Sequence, residues 1–391
     1  MTDRRRLLAV ATKYGTPTYV YDREVLRDKC ESLTKHFTGF EIHYAVKANS
    51  NPTILKEVNR AGLGAEAVSP GELDAIVAAG FPKDHISFTC SSMTKEELRY
   101  AARVAGRVHL DSLHQLELWG AMKLGKEVSI RLNQGIGAGH HQHVITGGPD
   151  SKFGITLKDL PEARVLAKKY GMRITGLQQH VGSNVLDHRL LLMAARALAD
   201  TARILPDVTH VDFGGGLGVP YRPNQKNLDV AAYGKGLVRI AEKLAKDLKR
   251  PLTFAIEPGR YIVAESGTLL VSVTDIKTTS GHTFVGVNSG FNHLVRPTMY
   301  GSYHHIENVT GRTGKVRPIT LCGNVCESGD IFASKREMAL PRMGDVLAIR
   351  EAGAYGFSMS SHYNLRRAPR EIMLEGTRMR DISFSASESA R

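Results

Sequence analysis

The sequence predicts an α/β chain: a TIM-like (β/α)8 barrel followed by a C-terminal β-sandwich or β-barrel domain that also takes the N-terminal strand. Three observations predict it. Apolar, strand-like runs alternate with segments of helical spacing as far as Glu265. Eight such runs fall in that stretch, the number a closed parallel barrel needs. Beyond Glu265 the helical period stops and turn-separated β-type runs take over. An open doubly wound sheet meets the first observation equally well, since sequence pattern does not show closure.

In chain order, Met1-Thr2-Asp3-Arg4-Arg5-Arg6 is basic but lacks the apolar segment and small-residue cleavage site of a targeting signal. Gly15–Tyr21 is a short β-type run, and a helical stretch follows to about Thr34. The barrel strands are expected at Glu41–Lys47, Gly64–Ser69, His85–Thr89, Arg107–Asp111, Val128–Asn133, Ile174–Val181, His210–Phe213 and Leu252–Glu257. Thr94–Ala105, Leu113–Leu124, Asp187–Leu205 and Val230–Leu248 carry helical spacing between them. The β-domain strands are expected at Thr268–Thr278, His282–Val287, Pro318–Cys322, Asp345–Glu351 and Glu371–Leu374. With Tyr19–Tyr21 joining them, residues 24–264 form a barrel inserted between the two pieces of a β-domain, 1–23 and 265–391. The segment from Gly376 onward is polar and reads as loosely ordered.

Hydrophobic content of 42% and charged content of 23% are those of a soluble globular protein. No apolar run approaches the ~20 residues of a membrane span, so a cytoplasmic protein is expected. The net charge of +13 is spread along the chain without a nucleic-acid-binding motif, which favours a solvated basic surface. Four cysteines in so long a chain form no disulfide framework, and Cys322 and Cys326 lack a second pair at zinc-like spacing. No metal is expected.

Barrel enzymes carry their chemistry at the C-terminal ends of strands. Those ends supply Lys47, Ser69, His180 with Ser183, the run Gly214-Gly215-Gly216, and Glu257 with Gly259 and Arg260. A strand-end lysine in apolar surroundings meets the condition for a Schiff-base lysine, although a lysine that merely snorkels fits the same pattern. The glycines let backbone N–H groups approach a phosphate, and their spacing is not the dinucleotide-binding fingerprint. Glu257 suits a pyridine nitrogen or, more plainly, an ion pair with Arg260. His180 has the shape to stack on a ring and equally that of a hydrogen-bonded core histidine. Together these groups describe a site for pyridoxal 5′-phosphate. In the β-domain, the Gly- and Asp-rich run Cys322–Asp330 exposes Cys326 as a general acid. Gly353-Ala354-Tyr355-Gly356 presents a hydroxyl, and Arg296 offers a fork for a carboxylate.

These motifs, with Tyr44–Asn49, Ser69–Leu73, Ser151–Ile155 and Arg296-Pro297, make the chain resemble the fold-type III pyridoxal-phosphate-dependent amino-acid decarboxylases from about Thr16 to Leu374. The resemblance implies that Lys47 carries the cofactor covalently and that His180 stacks on its ring. It assigns the phosphate to Gly214–Gly216, Ser183 and Tyr355, and the pyridinium to Glu257. Arg260, Arg296, Tyr300, Glu327 and Tyr355 would handle substrate, and Cys326 would protonate the product. It further implies a homodimer in which Cys326 and Glu327 enter the partner's site. The available arginines favour meso-2,6-diaminopimelate as substrate. The alternatives are ornithine, arginine, lysine, a carrier-bound or modified amino acid, and a non-catalytic homologue. The histidine-rich stretch Gly139–His143 reads as a mobile loop over the site rather than a metal centre.

Overall fold

Eight short strands and the helices between them generate the barrel. In this computed structural model, which describes residues 2–137, 151–311 and 314–384, β1 (Thr18–Asp22) belongs to a second sheet. It is followed by β2 (Phe40–Ala45), β3 (Gly64–Ala67), β4 (Ile86–Cys90), β5 (Arg107–Leu110), β6 (Glu127–Asn133), the two-residue β7 (Ile155–Thr156), β8 (Arg173–Gln178), β9 (His210–Asp212) and β10 (Thr253–Ile256). The order β5-β4-β3-β2-β10-β9-β8-β6 is parallel throughout, and pairing of β5 with β6 closes it. The barrel is therefore closed, not an open sheet. All eight expected strands are present, within a few residues of the expected ends. The histidine-rich stretch 140–143 lies outside the described residues.

Side-chain caps start the helices between these strands: Asn51, Ser69, Ser112, Asp187 and Asp229 each accept a backbone N–H, and Thr94 with Glu97 forms a capping box. Ser69 is thus the cap of the helix Pro70–Ala78. The barrel interior is polar for a core, holding His43, His109 and His210. Small residues make the room: a Cβ on Gly64 would lie 2.4 Å from the His43 ring, and one on Gly176 2.4 Å from Ser129 Oγ.

By its contacts the chain divides into two units, Lys29–Val219 with Lys226–Tyr261, and Met1–Asp28 with Pro220–Gln225 and Ile262–Arg391. The second unit is built on β1, β11 (Gly267–Thr279), β12 (His282–Val287), β13 (Ile306–Asn308), β14 (Val316–Cys322), β15 (Ile331–Ala339), β16 (Val346–Ile349), β17 (Arg370–Glu375) and β18 (Arg378–Asp381). β1 lies between β11, antiparallel, and β17, parallel, which is why Tyr19 and Tyr21 are fully buried.

Among the described residues, the elements not anticipated include the helix Arg4–Tyr14 and the strands β7, β13, β15 and β18. The helix Arg4–Tyr14 hides behind its three arginines, yet Leu7, Val10 and Ala11 form an i, i+3, i+4 stripe. That stripe packs on Leu270, Ala348 and Ile372. β15 carries Lys335, Arg336 and Glu337 and buries only Phe332 and Ala333, so its apolar signature is weak. β13 has three residues. β18 corrects the reading of Gly376 onward as loosely ordered: Arg378–Asp381 pair with Ile372–Glu375, and backbone hydrogen bonds, not burial, hold them.

Candidate active site

Lys47 sits in a one-turn 3-10 helix, Val46–Ala48, directly after β2. The expectation that the strand itself carries it is corrected here, because the ladder to β3 runs out at Ala45 opposite Glu66. The lysine Nζ forms an ion pair with Glu66, a carboxylate almost fully buried on β3. Glu72 lies near the same lysine: its Oε2 accepts the Val68 N–H at 2.8 Å, and burial pushes its carboxyl up to about 7.

Glu257 follows β10, its N–H donating to the Gly214 carbonyl at 3.0 Å. Its Oε2 accepts from Gln178 Nε2 at 2.8 Å. Its Oε1 is buried and has no partner among the described residues. The alternative ion pair with Arg260 is not what forms, since Arg260 Nη2 donates to Ser183 Oγ at 2.9 Å. Burial, reinforced by Asp212 and Glu66, holds the Glu257 carboxyl well above the usual carboxylate range. Burial, with Arg131 and Lys47 adding to it, pushes His180 well below the usual imidazole range, so the ring is neutral. His180 Nδ1 accepts the Gly215 N–H at 3.3 Å.

The glycine run needs to be glycine. Gly214 and Gly216 have φ of +72° and +102°. Cβ atoms on Gly214 and Gly215 would lie 1.9 Å from the Gln179 carbonyl oxygen and 2.2 Å from that of Glu257. Gly259 is packed tightly too, its Cβ position 3.0 Å from that of Ala45. Lys47, Glu66, Arg131, Phe153, His180 and Glu257 line one cavity of about 340 Å³, within the size range of small-ligand sites. Arg131 stacks on Phe153 at 4.6 Å and lies 3.6 Å from Asp111.

The remaining expected residues belong to the second unit. Cys326 is exposed, and its N–H donates to Asn364 Oδ1 at 2.6 Å. Glu327 is exposed as well, its Oε1 accepting from Gly329 N–H at 3.4 Å. Tyr355 has φ +56° between its flanking small residues. Tyr300 ends the short helix Arg296–Tyr300. Arg296 is 1% exposed, stacked on Tyr221 at 4.6 Å, with Nη1 donating to His304 Nε2 at 3.2 Å. The opposite nitrogen of His304 donates to the Arg350 carbonyl at 2.8 Å, which fixes the tautomer.

Sequence reasoning missed Glu66, Glu72, Arg131, Gln178 and Asp212. A signal existed for the charged members inside strands: Glu66, Arg131 and Asp212 each interrupt an otherwise apolar or small-residue run. Asp212 also brings a carboxylate oxygen within 4.8 Å of ring nitrogens of His109 and His210. Both nitrogens of His109 are engaged, however, by Ser129 and Ser87 hydroxyls at 2.6 and 3.1 Å, so His109 offers no free nitrogen to an ion.

An amine, a buried carboxyl oxygen lacking a donor, and a glycine turn where no side chain fits are the complement of a phosphorylated pyridine aldehyde. Residues 23–264 match the family described as pyridoxal-dependent decarboxylase, pyridoxal binding domain. The chain belongs to this family of pyridoxal-phosphate-dependent decarboxylases. Within it, the chain is 41% identical to the diaminopimelate decarboxylase of Methanothermobacter thermautotrophicus, over 93% of this chain and 88% of that one. It is 35% identical to the diaminopimelate decarboxylase of Escherichia coli K12, over 96% and 93%. Among solved structures, diaminopimelate decarboxylase from Helicobacter pylori in complex with L-lysine superposes with a TM-score of 0.89 at 32% identity, covering 96% and 95% of the two chains. The lysine/ornithine decarboxylase of Vibrio vulnificus, at 22% identity and a TM-score of 0.82, shares the fold.

Proposed function

We propose that the chain removes one carboxylate of meso-2,6-diaminopimelate as carbon dioxide, giving L-lysine, and that it works as a homodimer. The observation that carries the reading is the meeting of Lys47, His180 and the unpartnered Glu257 oxygen on one barrel cavity. The similarity to diaminopimelate decarboxylases over nearly the whole chain selects the substrate.

Pyridoxal phosphate, when bound, supplies a conjugated ring that accepts the electron pair left by the departing carboxylate. The chain supplies the rest. Lys47 Nζ would hold the cofactor covalently. The Gly214–Gly216 turn, with the Ser183 and Tyr355 hydroxyls, would take the phosphate. Glu257 Oε1 would accept the ring N–H, and neutral His180 would face the ring without adding a positive charge. Arg260, Arg296, Tyr300, Glu327 and Tyr355 orient the substrate, with Arg296 opposing the distal carboxylate. The Cys326 Sγ, from the partner subunit, gives a proton to Cα, so one proton enters as one carbon dioxide leaves.

Carbon dioxide release measured side by side on meso-diaminopimelate, ornithine, arginine and lysine tests the substrate. Release from meso-diaminopimelate alone is expected, and preference for a monocarboxylic substrate overturns it. Borohydride reduction followed by peptide mapping tests the cofactor anchor: the label belongs on Lys47, and a label elsewhere removes the assignment.

A further inference from the structure

Two buried carboxyl oxygens have no partner among the described residues of the barrel interior, Glu257 Oε1 and Asp212 Oδ2. Both residues belong to the same corner of the barrel. Across β9 and β10, Asp212 stands opposite Ala255, while Glu257 follows two residues later with its N–H on the Gly214 carbonyl. Period-two alternation therefore puts both side chains on the inner face, diagonal to one another. On that diagonal the two carboxyls interact electrostatically. On the other side of β9, Gln178 stands opposite Asp212 and donates to Glu257 Oε2 at 2.8 Å. The remaining Asp212 oxygen accepts the Gly214 N–H at 2.7 Å.

Two ionised carboxylates so placed inside a core repel each other, whereas one proton between them turns both orphan oxygens into donor and acceptor. We infer that Asp212 is a positioning residue that shares a single proton with Glu257 across these two strands, so that the pair presents one negative charge to the cavity rather than two. The surroundings agree. Glu66 on β3 adds a negative charge facing both carboxyls, while Arg107 on β5 offsets Asp212 and Lys47 offsets Glu257. Arg131 on β6 feels the Glu257 charge, and Tyr233 on the helix Val230–Leu248 feels that of Asp212. His109 Nε2 is 4.0 Å from Asp212 Oδ2. Burial keeps that imidazole neutral, so it brings no compensating charge. Burial drives both carboxyls upward, and the charge of Asp212 adds to the shift on Glu257. The consequence for the reaction is that Asp212, without touching the cofactor, sets how strongly Glu257 holds the ring N–H. This last step rests on the cofactor reading of the cavity, while the proton sharing does not.

The substitution Asp212→Asn isolates the proton, because the asparagine oxygen still accepts from Gly214 N–H. Infrared difference spectra of the unliganded protein, comparing wild type with Glu257→Gln, identify the protonated-carboxyl stretch of the pair. That band should also vanish in Asp212→Asn, with nothing further lost in the double variant. Its persistence in Asp212→Asn overturns the inference. In the unsubstituted protein, labelling aspartate side-chain carboxyls with carbon-13 should shift the same band, and an unshifted band overturns it equally. In the loaded enzyme, Asp212→Asn should bind pyridoxal phosphate within about threefold of wild type and lose kcat by about tenfold or more with KM little changed. An unchanged kcat overturns the coupling to the ring. Failure of wild type to bind pyridoxal phosphate would instead remove the cofactor reading and leave the infrared result standing.

Discussion

At the scale of single residues, the site is defined by charges that the barrel buries. Arg296 is the case where position and proposed role make separable predictions. Replacing it with leucine removes the fork for a distal carboxylate, and charge-assisted pairing of this kind contributes ~1.5–3 kcal/mol. Arg296→Leu should therefore lower kcat/KM for meso-diaminopimelate by about tenfold or more. It also strips the His304 Nε2 of its donor, so a loss of about 1–3 kcal/mol in stability is expected alongside. Steady-state kinetics on folded, cofactor-loaded protein separates the two, and an unchanged kcat/KM removes Arg296 from the substrate site. Glu72 makes a prediction about pH. Its carboxyl is raised from an ordinary 4.5 to about 7 by burial, so the folded state holds a proton that the unfolded state releases. The stability it contributes is complete below its ordinary value and is lost as pH rises through about 7. Glu351 moves the same way, again chiefly through burial. Urea unfolding of the unliganded protein compared with Glu72→Gln should show the wild type losing stability relative to the variant as pH rises from about 5 to about 7, and a difference that does not change with pH removes the assignment.

At the scale of elements, two short segments carry disproportionate weight. The glycine turn after β9 packs its backbone so closely that it tolerates no side chain. A Cβ on Gly215 would meet the Glu257 carbonyl at 2.2 Å, and backbone cannot swing aside as a long side chain does. Gly215→Ala should weaken pyridoxal phosphate binding by about tenfold or more, read by fluorescence titration, because even ~1.4 kcal/mol of displacement is a decade in affinity. Binding at wild-type strength would show that the cradle lies elsewhere. The helix Arg4–Tyr14 holds its place through Leu7 and Val10, both fully buried. Leu7→Ala should cost about 2–5 kcal/mol in the unit that contains it, measured by chemical denaturation. Kinetics of the remaining folded enzyme should be unaffected.

At the scale of the whole molecule, Lys47 belongs to the barrel unit and Cys326 to the other. A shared site in a homodimer predicts complementation. Lys47→Ala and Cys326→Ala preparations, each inactive, should regain activity when their protomers exchange, because one kind of mixed site is intact. No recovery under conditions of proven exchange removes the shared-site proposal. No helix among the described residues is long and apolar enough to cross a membrane.

Local chemistry determined much of this protein from sequence alone. The alternation of apolar strands with helical spacing fixes eight parallel strands, and each barrel strand lies within a few residues of its expected position. Lys47, His180 and Glu257 were legible because reactive groups at strand ends obey a local rule, and the glycine run because only glycine allows its backbone. What the sequence did not disclose are the pairings. Glu66 with Lys47, Gln178 with Glu257, and Asp212 beside Glu257 join residues that lie far apart in the chain. Closure, through β5 against β6, was likewise decided only by the fold. The same holds for β15 and β18, whose charged residues mask their pairing. The physical reason is common to all of them. Backbone conformation follows from neighbours in sequence, whereas the partner of a buried charge or an edge strand depends on which segments the closed barrel and its companion sheet bring together.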